Sequence, residues 1–85
     1  MVEKKPVGKI THYFSKPGAA VIELSDTLIE GDRIAIQGAT TDIIQEVRSM
    51  EIDHRPVERA EGGSAVGLKV KDRVREGDEV FKVSE

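Results

Sequence analysis

The chain has 85 residues, 38% of them hydrophobic, with one Tyr, two Phe, no Trp and no Cys. A chain this short buries only about 60% of its unfolded surface, so it is expected to form one domain, 1–85, with a thin core spanning about 7–83. Its net charge of −3 is unlike that of a dedicated DNA-binding domain, and the lack of cysteine excludes disulfide staples and Cys-ligated zinc.

Val and Ile supply eighteen residues against three Leu. That tilt toward β-branched side chains favours pleated sheet before any window is examined. From the N-terminus, 6–14 reads as a first strand, with Ile10, His12 and Phe14 on one face and Lys9, Thr11 and Tyr13 on the other. Ser15-Lys16-Pro17-Gly18 is a turn signal, in which Pro presets φ and Gly supplies φ > 0. Residues 19–24 alternate through Ala20, Ile22 and Leu24, Ser25-Asp26-Thr27 breaks the run, and 33–37 places Ile34 and Ile36 on one side before Gly38.

Residues 42–53 support two readings. Ile43, Ile44, Val47 and Met50 stand at helical spacing, with Thr41 or Asp42 as a cap. As a strand, Ile43, Gln45 and Val47 share one face and Met50 and Ile52 the other, which requires a bulge near Ser49. Residues 56–63 read as a loop or one helical turn closed by Gly62-Gly63. Residues 65–70 then alternate with Val66, Leu68 and Val70 inward, and 79–83 form a last strand. About six short strands and no long crossover helix predict an all-β fold, a small closed antiparallel barrel. Its expected core is Ile10, Ile22, Leu24, Ile34, Ile36, Val47, Met50, Ile52, Val66, Leu68, Val70 and Val80.

A short echo runs through the chain. Leu28-Ile29-Glu30-Gly31-Asp32-Arg33-Ile34 and Val74-Arg75-Glu76-Gly77-Asp78-Glu79-Val80 share the pattern apolar-x-Glu-Gly-Asp-x-apolar. Gly supplies a left-handed turn and Asp binds nearby backbone N–H groups, so both copies read as tight entries into strands rather than as metal sites.

Chemistry-bearing residues are sparse. His12 and His54 sit in no motif that pairs them with a nucleophile or ligand cluster. The carboxylates interrupt no apolar face, and the serines lack a nucleophile-elbow context. Neither an enzyme nor a metal or cofactor site is expected. The one distinctive cluster is Lys69, Lys71, Arg73 and Arg75, at alternate positions. If that stretch stays extended, all four project from one face, with Arg55 and Arg59 close by. Such a row suits phosphate contacts, or an edge that cations protect from aggregation. No apolar run approaches the roughly 20 residues that cross a bilayer. Met1-Val2-Glu3-Lys4-Lys5 leads into Pro6 without an apolar signal core, so the cytoplasm is the expected location.

The pieces in order (Leu28, Gly31-Asp32-Arg33-Ile34-Ala35-Ile36, Gly38, Val47-Arg48-Ser49-Met50, Ala60, Gly63, Val66-Gly67-Leu68 and Glu76-Gly77-Asp78) resemble domain 2 of elongation factor Tu and its relatives. The chain is also similar to stand-alone elongation-factor-like proteins and to the accessory C-terminal barrel of collagenase-like peptidases. The resemblance implies a closed barrel in which 42–53 is one long bent strand. It implies a non-catalytic binding module contacting tRNA, rRNA or a ribosome-associated protein. The alternative is an accessory protein-interaction subunit serving a partner such as a GTPase or peptidase, with no RNA role. No G-x-x-x-x-G-K-[ST] phosphate loop is present, so no nucleotide binding is expected. By resemblance, Asp53-His54-Arg55-Pro56 stands where the factor holds the aminoacylated end of tRNA, though its residue types depart from the factor's basic pair. The expected binding residues are therefore Lys69, Lys71, Arg73, Arg75, His54 and Arg55.

Overall fold

The computed structural model describes residues 3–16 and 18–84, so the turn role expected of Pro17 falls outside the described residues, as does the Met1-Val2 start. Ten strands run in order: β1 (Glu3–Phe14), β2 (Ala19–Leu24), β3 (Leu28–Ile29), β4 (Arg33–Gln37), β5 (Asp42–Glu46), β6 (Glu51–Ile52), β7 (Arg55–Pro56), β8 (Arg59–Ala60), β9 (Ala65–Lys69) and β10 (Glu79–Ser84). Eight of them form one antiparallel sheet in the order β5-β4-β10-β1-β2-β9-β6-β7, and β3 pairs with β8. The all-β, antiparallel expectation is met. The closed barrel is not seen as a backbone ladder, because β5 and β7 end the sheet without pairing to each other.

Alternation explains most of the core. Ile22, Ile34, Ile36, Val66, Leu68 and Val80 are fully buried on their strands, as expected. Two departures come from bulges in β1. Its register shifts between Pro6 and Gly8 against β10, and between Ile10 and His12 against β2. The extra residue at Thr11 flips the following side chains. Phe14 and His12 turn outward and Tyr13 packs against the core, reversing the faces read from the sequence. The core also takes in Val7, Leu28 and Val74, while Ile52 is only half-buried beside it.

The segment 42–53 is neither a helix nor one bent strand. β5 pairs with β4 at one end of the sheet, and β6 pairs with β7 and β9 at the other. Between them Val47 and Met50 are buried, and Ser49 takes a left-handed φ of 55°. The break falls where the strand reading required a bulge. Four residues, 47–50, carry the chain from β5 to β6. Residues 56–63 form no helical turn and instead supply β8 to the small sheet.

The two echo segments adopt one geometry. In each, the Asp N–H donates to the carbonyl three residues back (Asp32 to Ile29, 3.0 Å; Asp78 to Arg75, 3.1 Å), with Gly31 at φ 97° and Gly77 at φ 91°. A positive φ at the third position is the type II turn, which needs Gly there. The Asp carboxylate then accepts the N–H of the turn's first residue, Ile29 (2.9 Å) or Arg75 (2.8 Å). Each turn also docks on a buried residue elsewhere. Gly31 N–H donates to the Val47 carbonyl and Val47 N–H to that of Asp32; Gly77 and Asp78 make the same pair of bonds with Ile10. The strands leaving the turns, β4 and β10, pair with each other.

The sheet's two ends differ. Val57 N–H donates to the Met50 carbonyl, so in the alternating antiparallel pattern the Glu51–Pro56 pair is non-hydrogen-bonded and the Pro56 nitrogen points outward. β7 thus presents a proline to any incoming strand. On β5, Gly38 N–H donates to the Thr41 carbonyl and Val47 N–H to that of Asp32. The same alternation then directs the backbone groups of Asp42, Ile44 and Glu46 to the free edge.

Candidate interaction surface

The expected row of four cations does not stand on one strand. β9 stops at Lys69, and residues 70–75 continue outside any ladder. Val70 and Val74 point into the core, while Lys69, Lys71, Arg73 and Arg75 are exposed, and Asp72 between them is exposed as well, so the alternation breaks there. Two local bonds bend the backbone, Arg73 N–H to Asp72 Oδ1 (2.8 Å) and Arg75 N–H to Asp78 Oδ2. The continuous strand assumed for this stretch is therefore corrected to a strand plus an irregular arm. Lys69 and Lys71 line a shallow hollow of about 610 Å³ with Gln45, Arg48 and Ser49. Arg73 and Arg75 line a second hollow of about 290 Å³ with Thr41 and Ile43. Both hollows lie between β5 and the 69–75 arm. None of the four cations is in an ion pair among the described residues.

Gln45 lines the first hollow. Its Nε2 donates to the Lys69 carbonyl (3.0 Å), and its Oε1 accepts the Lys71 N–H (3.0 Å). A side-chain amide thereby makes the two bonds that a parallel strand residue opposite Val70 would make. It ties the β5 end of the sheet to the arm where no backbone ladder does. A lone Gln in a short strand reads as a surface residue, and no sequence signal marks this role.

His54 and Arg55 lie elsewhere. Asp53 (φ 52°) and His54 (φ 62°) form the two-residue loop of the β6–β7 hairpin. Two successive positive φ values define the type I′ turn, whose twist suits the flanking strands. Asp53 and His54 border an apolar hollow of about 430 Å³ that includes Phe14, Val21 and Gly67. Phe14 is 53% exposed and stacks on His12 at 6.3 Å. Arg59, expected near the cation row, sits on β8 in the small sheet and pairs with Glu61 (3.5 Å).

The electrostatics are those of a solvated surface. Among the described residues, no group of three or more His, Asp or Glu is placed to hold a metal ion. His12 Nδ1 lies 3.4 Å from Glu76 Oε1, both well exposed. The Asp26 carboxyl is held below its usual value, first by a hydrogen bond from Lys5 (2.7 Å), then by the Thr27 N–H (2.8 Å). No helix among the described residues is long and apolar enough to cross a membrane.

No family model matches the sequence. The chain is 42% identical over 83 residues to an uncharacterised protease of Methanocaldococcus jannaschii, covering 96% of this chain and 20% of that protein. It is 39% identical over 82 residues to a collagenase of Porphyromonas gingivalis, covering 94% and 23%. A weaker match, 32% over 88 residues, is to elongation factor 1-alpha of Hyperthermus butylicus, covering 88% and 20%. The chain thus spans about a fifth of the length of the curated relatives it matches. In three dimensions it resembles the C-terminal domain of a protein described as a U32 peptidase of Geobacillus thermoleovorans. The TM-score is 0.87 at 17% identity, covering 92% of this chain and 99% of that one. The likeness to the collagenase-like proteins is therefore stronger than that to the elongation factors.

Proposed function

We propose that this chain is a non-catalytic accessory module that binds protein and docks on the catalytic part of a collagenase-like peptidase. The observation that carries this reading is the 42% identity that covers nearly all of this chain but only a fifth of the archaeal protease. The fold it shares with a peptidase's C-terminal domain supports the same reading. In it, residues 1–85 act as one domain, and the sheet behaves as a barrel closed by Gln45 rather than by a ladder. Hydrolysis belongs to the partner. His12 faces Glu76 and Phe14, and His54 occupies a turn, so neither has a nucleophile to activate.

The test mixes the purified 85-residue chain with the archaeal protease relative lacking its matching segment. Calorimetry should show one-to-one binding with a Kd on the order of micromolar or tighter. Gelatin hydrolysis, a substrate suggested by the name of the Porphyromonas gingivalis relative, should change on addition of the chain. The chain alone should hydrolyse nothing. Absence of binding overturns the reading.

A further inference from the structure

We propose that the free edge of β5, together with the 69–75 arm, forms a docking seam for an acidic, extended segment of a protein partner, which adds as a strand. The inference rests on the protein-binding reading above and names the surface and the chemistry of what it takes. Three observations converge on it. The edge offers the backbone N–H and C=O groups of Ile44, flanked by those of Asp42 and Glu46, and Ile44 projects its side chain into solvent at 47% exposure. Edge strands normally carry charges, especially Lys, or a Pro or bulge that discourages pairing; β7 has its Pro56, while β5 has no Lys, Pro or bulge and only the acids Asp42 and Glu46 at its ends.

Across the seam, the Lys69 carbonyl and Lys71 N–H are satisfied by a primary amide, the side-chain group closest in chemistry to a peptide bond. An incoming strand replaces that amide bond for bond. This is strand addition, in which backbone hydrogen bonds supply affinity and side-chain pockets supply selectivity.

Charge identifies the occupant. Arg48, Lys69, Lys71, Arg73 and Arg75 line the two hollows against Asp42, Glu46 and Asp72, in a chain whose net charge is −3. Arg48 and Glu46 already neutralise each other at 3.1 Å. The four unpaired cations of the arm therefore set the sign of the seam. A strand with Glu or Asp at alternate positions directs one row of carboxylates at them. A nucleic acid would also answer the charge. It could not use the row of backbone donors and acceptors, and the exposed aromatic Phe14 lies in a different hollow, away from the arm.

The experiment titrates the isotopically labelled chain with a blocked seven-residue peptide of alternating Glu and Val, followed by amide NMR. The peptide with Lys in place of Glu, and tRNA, run in parallel. The Lys71 backbone N–H and the Gln45 side-chain amide should shift with the acidic peptide and not with the basic one. Two variants should each weaken that binding at least tenfold. Lys71→Glu with Arg73→Glu reverses the charge; Ile44→Pro removes an outward N–H and spares the β4 ladder. Unchanged thermal midpoints establish that both variants fold. Shifts elsewhere, or none, overturn the proposal. So does tRNA that moves the same resonances and displaces the peptide with steep salt dependence, which would assign the seam to phosphate. The protease lacking its matching segment separates the two readings. If it binds wild type and both variants equally, the seam is wrong and docking stands. If it fails to bind while the peptide shifts persist, docking is wrong and the seam stands.

Discussion

The turns at Gly31-Asp32 and Gly77-Asp78 share a sequence pattern and a hydrogen-bond set, yet they sit in different surroundings. One step beyond the last β4–β10 pair, Gln37 with Glu79, Gly38 faces Asp78. A Cβ on Gly38 would fall 1.9 Å from Asp78 Oδ1, and Asp78 is only 5% exposed. Asp32 instead stays partly open and meets the Lys82 ammonium at 3.1 Å. One copy of the motif is walled in and the other is reached by water. The turn's own bonds are the same, so the comparison sets a walled-in side-chain-to-backbone hydrogen bond against an open one whose carboxylate also meets Lys82.

The largest effect is expected on the walled side. Gly38→Ala drives the buried Asp78 carboxylate off the Arg75 N–H and should destabilise by about 2–4 kcal/mol, from strain plus the loss of a part-buried hydrogen bond. Asp78→Ala should cost about 2–3 kcal/mol for the lost bond. Because both act on one contact, the double variant should fall short of the sum by more than about 1 kcal/mol in urea melts. Full additivity would show that Gly38 and Asp78 are not coupled. On the open side, Asp32→Ala should cost about 1 kcal/mol, because water replaces the carboxylate at the Ile29 N–H. Equal losses for Asp32 and Asp78 would break the comparison.

A third turn sharpens it by reversing the sign. His54 has a left-handed φ in a type I′ position that Gly fills without strain. His54→Gly should stabilise by about 0.5–1 kcal/mol in the same melts, the strain relieved exceeding the entropy added to the unfolded chain.

The smallest effect belongs to Asp26, another carboxylate that accepts a backbone N–H, but in the open. Its carboxyl titrates below the usual 3.8, held there by Lys5 and then the Thr27 N–H. The stabilisation is therefore present above that usual value and is lost as the pH falls through the lowered one. Thermal midpoints of wild type and Asp26→Asn should differ slightly near neutrality and converge in acid. High salt should shrink the neutral-pH gap, because the ion pair is exposed.

These surroundings mark the limit of what the sequence discloses. Strands such as β2, β4, β9 and β10 were legible because their β-branched residues alternate, and the paired turns were legible because Gly and Asp have separate mechanical roles. Leu28 and Val74 stand outside any alternating run, so spacing does not mark them as core. The reversed faces of Tyr13 and Phe14 follow from an extra residue at Thr11, which leaves no mark in composition. Ser49 is equally silent, since serine rarely takes the conformation that splits β5 from β6. At the surface, the exposure of Lys69, Lys71, Arg73 and Arg75 could be read from spacing. Their division between two hollows, and the bonds Gln45 makes to this arm from 24 and 26 residues away, could not.

The proline on β7 has a consequence for self-association. Polymerisation of sheets requires two competent ends, one to receive a strand and one to offer the next. The eight-stranded sheet has one such end, because β7 withholds a donor at Pro56 while β5 remains free. A copy that pairs through β5 can find only the β5 of another copy, related by a two-fold axis, and the pair then has no free terminus. At high concentration this sheet should therefore stop at dimers rather than nucleate fibrils, and a binding edge can stay exposed without seeding an aggregate.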